Sequence, residues 1–73
     1  MEQFFCLKYL NALEVVGFMI AKRNVTCRTV PMGGDRYRVV FPSDQGHGEA
    51  AKRNFVFLRN VPVQIYSPTN TSL

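Results

Sequence analysis

Two glycines and an aspartate, Gly33-Gly34-Asp35, separate two runs rich in β-branched and aromatic residues, 25–32 and 36–41. Tight hairpin loops need residues that tolerate positive φ, and these three do, so the segment reads as a β-hairpin. A one-residue change in the loop would invert every side chain, because strand side chains alternate between faces. A three-residue loop gives a coherent interior: Val25, Cys27, Tyr37, Val39 and Phe41 share one face. Arg28, Arg36 and Arg38 share the other with Val30, Met32 and Val40.

Upstream, residues 3–22 carry apolar side chains at helical spacing and read as one long helix. Phe5, Tyr9, Ala12, Leu13, Val16 and Ile20 gather on one side at 100° per residue, flanked by Cys6, Leu10 and Met19. Leu7, Val15 and Phe18 fall on the polar side among Lys8, Asn11, Glu14 and Lys22. A helix this apolar all round needs a second cover, so these three are assigned to a partner. Downstream, Pro42, Ser43, Asp44 and the glycines at 46 and 48 mark a loop, and 49–53 a short helical turn. Residues 55–66 read as one strand with Phe55, Phe57, Val61, Val63 and Ile65 on a face, or as two strands broken near Asn60 and Pro62.

The tetrapeptide Ala-Lys-Arg-Asn occurs at 21–24 and again at 51–54. Lys and Arg suit the negative end of a helix dipole, and Asn tolerates the left-handed conformation that closes helices. Both copies therefore read as helix stops, and their flanks differ too much for a duplicated unit. The expected architecture is α+β: a long N-terminal helix packed on an antiparallel sheet of three or four strands with the hairpin at its centre. Residues 1–68 form a single domain and 69–73 a frayed polar tail.

Catalysis finds little support. Asp44, His47 and Glu49 are the one concentration of titratable groups, and a glycine-flanked loop with a single His is a poor metal or acid–base site. Cys6 and Cys27 form no ligand motif and read as buried thiols. The expectation is a protein that is not an enzyme and carries no metal or cofactor. Glu2, Lys8, Asn11 and Glu14 interrupt the apolar N-terminus, so neither a signal peptide nor a membrane span is expected, and a cytoplasmic location is. Asn24-Val25-Thr26 and Asn70-Thr71-Ser72 match the glycosylation pattern without a route to the modifying enzyme.

A net charge of +4 favours acidic partners. Two surfaces compete for them. Leu7, Val15 and Phe18 with Arg28, Val30, Met32, Arg36 and Arg38 mix basic and apolar groups as protein interfaces do. Lys22, Arg23, Lys52, Arg53 and Arg59 with Phe55 and Phe57 would instead suit single-stranded nucleic acid or a phosphate backbone. The segment Arg53 to Asn60 resembles the aromatic strand of RNA-recognition motifs at Arg53, Phe55, Phe57 and Leu58, and departs from it at Asn54, Val56 and Asn60. That resemblance implies base stacking on Phe55 and Phe57. Over its whole length the basic, motif-free chain resembles small phage-encoded proteins that bind a host machine, including inhibitors and antiterminators of bacterial RNA polymerase and anti-CRISPR proteins. The resemblance implies a stoichiometric modulator docked on a subunit of host transcription machinery. A homo-oligomer formed through the apolar helix is the third expectation.

Overall fold

The computed structural model describes residues 2–42 and 46–66. Ser43, Asp44 and Gln45 of the assigned loop and the polar tail lie outside the described residues. The chain runs β1 (Glu2–Lys8), α1 (Tyr9–Arg23), β2 (Arg28–Gly33), β3 (Arg36–Val40), α2 (His47–Asn54), the 3-10 turn Val56–Leu58 and β4 (Gln64–Tyr66). The four strands form one sheet in the order β2-β3-β1-β4, so the α+β expectation holds. The helix is a modest 15 residues.

The long N-terminal helix does not form: its first third is β1. Phe5 pairs with Val39 and Leu7 with Tyr37 on one face, while Phe4 and Cys6 stand opposite Val40 and Arg38 on the other. β1 also pairs with β4, so it is an inner strand flanked on both sides. An inner strand can be apolar on both faces, and such a run satisfies a helical period as readily as a strand period. Lys8, extended at φ −67° and ψ 159°, is the joint where strand becomes helix. The centre of the sheet is therefore β3 and β1, and β2 of the hairpin is an edge.

The hairpin forms with the expected faces but a shorter loop: Gly33 belongs to β2 and pairs with Arg36, so Gly34-Asp35 alone make the turn. Val30 pairs with Arg38 and Arg28 with Val40, the face assignment of the three-residue loop, and a bulge between Pro31 and Gly33 leaves Met32 without a direct opposite. Gly33 and Gly34 take φ of 101° and 61°. Pro31, which cannot donate to a ladder, sits on the edge strand where the loss is tolerated.

Losing its first residues rotates the buried stripe of α1. Ala12, Val15 and Met19 are buried, with Val16 and Phe18 packed beside them, whereas Tyr9, Leu10, Leu13 and Ile20 are exposed. Leu7, Val15 and Phe18 thus belong to the interior: Leu7 and Val15 are in the core and the Phe18 ring meets Phe55 edge-on at 5.4 Å. They are not available to a partner. The core gathers Phe5, Leu7, Val15, Met19, Val39, Phe41 and Leu58, with Phe5 and Phe41 edge-to-face at 5.7 Å.

The segment after α2 is not the expected strand. Leu58 N–H donates to the Phe55 carbonyl and Arg59 N–H to that of Val56, both at 3.1 Å, and Val61 N–H then returns to Leu58. These tight turns bury Leu58 and hold Phe55, Phe57, Val61 and Val63 against the core, leaving three residues for β4. Pro62 and Asn60 supply the break that the longer reading would have had to bridge.

Both Ala-Lys-Arg-Asn segments end helices, by different means. Asn24 is left-handed at φ 56° and ψ 40°, and Val25 N–H reaches back to the Met19 carbonyl at 3.0 Å. Asn54 instead donates its side-chain amide to the Ala50 carbonyl at 2.8 Å, and the chain leaves extended at Phe55. α2 itself is pinned to β1: Gly48 N–H donates to Gln3 Oε1 at 3.2 Å. A methyl at Gly48 would stand 3.0 Å from that oxygen and 3.1 Å from Val63 Cγ1. Gly48→Ala is expected to destabilise the fold by about 1–3 kcal/mol, the range for an overpacked site, read as a lower urea midpoint.

Candidate binding face of the sheet

Both helices lie on the sheet face that carries Phe5, Leu7 and Val39, since Ala12, Val15 and Ala51 join those residues in one cluster. The opposite face bears, in cross-strand rows, Arg28-Val40-Phe4, Val30-Arg38-Cys6 and Arg36-Lys8. Four cations stand here against the carboxylate of Glu2. Lys8 and Arg36 are direct neighbours, a like-charge pairing that costs stability in a sheet unless something else compensates.

Apolar side chains form the floor beneath these charges. Phe4, Val30 and Val40, with Arg28 and Arg38 as walls, enclose an open cavity of about 250 Å³. Arg38 lies over the Phe4 ring, its guanidinium carbon 4.4 Å from the centroid, a cation–π contact that keeps the aromatic face covered. Its Nε is buried and has no hydrogen-bond partner among the described residues. Arg28 makes a forked contact with Glu2, Nη1 to Oε2 at 3.4 Å and Nη2 to Oε1 at 3.3 Å. Long and exposed, this ion pair contributes little to stability and yields readily to a better acceptor.

Of the residues assigned to a partner, the structure brings Arg28, Val30, Arg36 and Arg38 together on this face and places Met32 at the exposed hairpin tip. Phe4 and Val40 were missed as its floor. The alternation Phe4, Cys6, Lys8 was the available signal, and reading β1 as helix concealed it.

The cations assigned to nucleic acid are elsewhere. Lys22 and Arg23 close α1, Lys52 and Arg53 close α2, and Arg59 follows the 3-10 turn. Four of these five sit at helix C-termini, where the dipole alone favours them. Phe55 packs on Phe18 and, at 5.1 Å, on Phe57, so neither ring lies on an aromatic strand of the kind RNA-recognition motifs use. His47 opens α2 with its ring 6.2 Å from that of Phe41, and Glu49 points to solvent in the same turn. Among the described residues no three His, Cys, Asp or Glu side chains are placed to hold a metal ion, and no helix is long and apolar enough to cross a membrane. No protein-family model, curated protein or solved structure matches the chain.

The cysteines divide between the two faces. Cys6 is half-buried on the open face, where its sulfur accepts from Gln64 Nε2 at 3.7 Å. Cys27 is buried beneath α1, and loss of solvent pushes its thiol up from 9.0 to about 11. The native thiol therefore keeps its proton where the unfolded one has lost it, so this group's contribution is intact below pH 9.0 and is lost as pH rises through about 11. Two measurements check this. Iodoacetamide at neutral pH should add one carbamidomethyl group to the folded protein, at Cys6, and two after denaturation, counted by mass spectrometry. The urea midpoint of the wild type should fall relative to Cys27→Ala between pH 9.0 and about 11.

Proposed function

We propose that the chain is a non-catalytic binding protein that docks on a larger machine through the open face of its sheet. The occupant is an acidic segment of a protein carrying a bulky apolar side chain. The observation behind this reading is the cavity of Phe4, Val30 and Val40 walled by Arg28 and Arg38: an apolar seat ringed by guanidinium groups. An apolar anchor fills the seat, and carboxylates beside it pair with guanidinium donors in forked geometry. Arg38, whose buried Nε has no partner among the described residues, gains one on binding, and Arg28 exchanges its long contact with Glu2 for a shorter one. A protein occupant is favoured over a nucleic acid because Arg38 already covers the Phe4 ring, leaving no open aromatic surface there for a base.

The machine proposed first is the bacterial transcription apparatus, the target implied by the resemblance to phage-encoded regulators. Acting by occupancy, the protein would modulate that target stoichiometrically.

Arg36 is exposed at the mouth of this face and directly opposite Lys8, so Arg36→Glu should leave the fold intact and, by turning a repulsive pair into an attractive one, raise the unfolding free energy by up to about 1 kcal/mol. Tagged wild-type protein should retain an identified subunit of a transcription complex from bacterial lysate after nuclease treatment. Arg36→Glu should weaken the purified pair at least ten-fold, about 1.4 kcal/mol, while Arg53→Glu on the helical side should not. Capture that vanishes with nuclease, together with equal losses for the two variants, would transfer the function to phosphate binding.

A further inference from the structure

The open face of the sheet is cationic at both ends and paired at one. Glu2, Phe4, Cys6 and Lys8 alternate onto this side of β1, and at the first end Arg28 holds Glu2. At the other end Lys8 stands directly opposite Arg36, and both are exposed. Among the described residues the one ion pair is that of Arg28 with Glu2, so no carboxylate answers Lys8 and Arg36. Between the ends lie the apolar seat of Phe4, Val30 and Val40 and the row of Arg38 and Cys6. Side chains on one face of a strand repeat every 7 Å or so, which puts the row of Val40 and Phe4 about 14 Å from that of Arg36 and Lys8. The middle of the seat, which takes in Val30 of the next row, is about 10 Å from the cation pair.

We propose that the occupant of this face is an acidic amphipathic helix of a partner protein, lying along β3 and β1 with an apolar side chain in the seat and a carboxylate two turns away between Lys8 and Arg36. The inference rests on the docking reading above and adds the conformation of the partner segment and the spacing of its acids. Charge complementarity calls for the second acid, because a carboxylate set between Lys8 and Arg36 turns a repulsive pair into two charge-assisted contacts. The conformation follows from the backbone. The strands under this face pair within the sheet, so the face offers side chains alone. An extended segment laid across it would leave its own N–H and C=O groups unpaired, whereas a helix satisfies them internally. At 1.5 Å per residue, the distance from seat to cation pair is about seven residues, and helix positions seven apart point nearly the same way. A carboxylate about four residues from the anchor falls between the two points, within reach of Arg38. Cys6 lies under this path, opposite Arg38 and between Phe4 and Lys8 on its strand.

The probe is a labelled synthetic alanine-glutamine helix of about twenty residues with one central leucine and glutamates about four and seven residues to either side, so that either direction along the strands is served. Its control moves the glutamates to about two and five residues from the leucine, the opposite side of the helix at equal charge. By fluorescence anisotropy the wild type should bind the probe at least about ten-fold more tightly than the control. Lys8→Gln with Arg36→Gln should keep the circular dichroism spectrum and lose about ten-fold in affinity for the probe, but nothing for a probe whose outer glutamates are glutamine. Saturating probe should slow iodoacetamide addition at Cys6, and the control should not. Equal affinity for probe and control, a double variant that binds as the wild type does, or an unshielded Cys6 overturns the proposal. If Arg36→Glu still releases the captured subunit in that event, the docking reading stands and the helical partner alone falls. Shielding of Cys6 that grows with protein concentration alone would give the face to a second copy, and equal shielding by an oligothymidylate would give it to a nucleic acid; either result also overturns the proposal.

Discussion

The structure depends on β1 being paired along both edges and apolar on both faces. Phe4 and Phe5 are chain neighbours and point in opposite directions. Phe5 carries the interior, in edge contact with Phe41 and beneath α1, while Phe4 carries the floor of the open face beneath Arg38. A strand with one polar face would have left the open side a plain solvated surface. Because it is apolar on both sides, the sheet needs a cover on its outer face as well, and arginine side chains provide a partial one. Arg38 lays its guanidinium over the Phe4 ring, and the exposed Arg28 reaches Glu2 beside it.

That arrangement accounts for the arginines of the open face. Arg28, Arg36 and Arg38 occupy strands, where planar guanidinium groups can stack on a ring or fork onto a carboxylate. At the helix ends a point charge near the last carbonyls is enough, and Lys22 and Lys52 stand there alongside Arg23 and Arg53. The pairing of Lys8 with Arg36 is the exception, a repulsive juxtaposition at the hairpin end of the open face. It costs the isolated fold something and is relieved by any acidic group placed between them.

How much of this was legible in the sequence varies by element. The hairpin was, because Gly33-Gly34 answers a backbone requirement that few residues meet, and the inside-outside assignment of Cys27, Tyr37, Val39 and Phe41 followed from period two. The helix stops were legible too, although Asn24 and Asn54 close their helices by different chemistry. β1 was not. Phe4, Phe5, Cys6 and Leu7 are apolar on both sides for a tertiary reason, the presence of strand neighbours, and a local pattern holds no trace of those neighbours. The error then propagated: once Phe5 was placed on a helix wheel, the core stripe turned toward Tyr9, Leu13 and Ile20, and Leu7, Val15 and Phe18 looked surplus. The turn at Val56–Leu58 was hidden for the converse reason, since Phe55 and Phe57 alternate like strand residues while serving a compact turn.

A chain of 73 residues has little interior to distribute, and burial of about 60% of the unfolded surface is typical at this size. α1 packs over β1 and β3 and leans toward the 3-10 turn through Phe18 and Phe55, which leaves the inner side of β2 poorly covered. One helix of 15 residues cannot cover four strands and also close against the segment after α2. The apolar surface left over, on α1 beside β2 and on the outer face under the arginines, is thus a consequence of size and topology together. Two local features at these surfaces go uncompensated among the described residues: Gly17 inside α1 lacks the helix stability of an alanine, and the buried Nε of Arg38 has no hydrogen-bond partner.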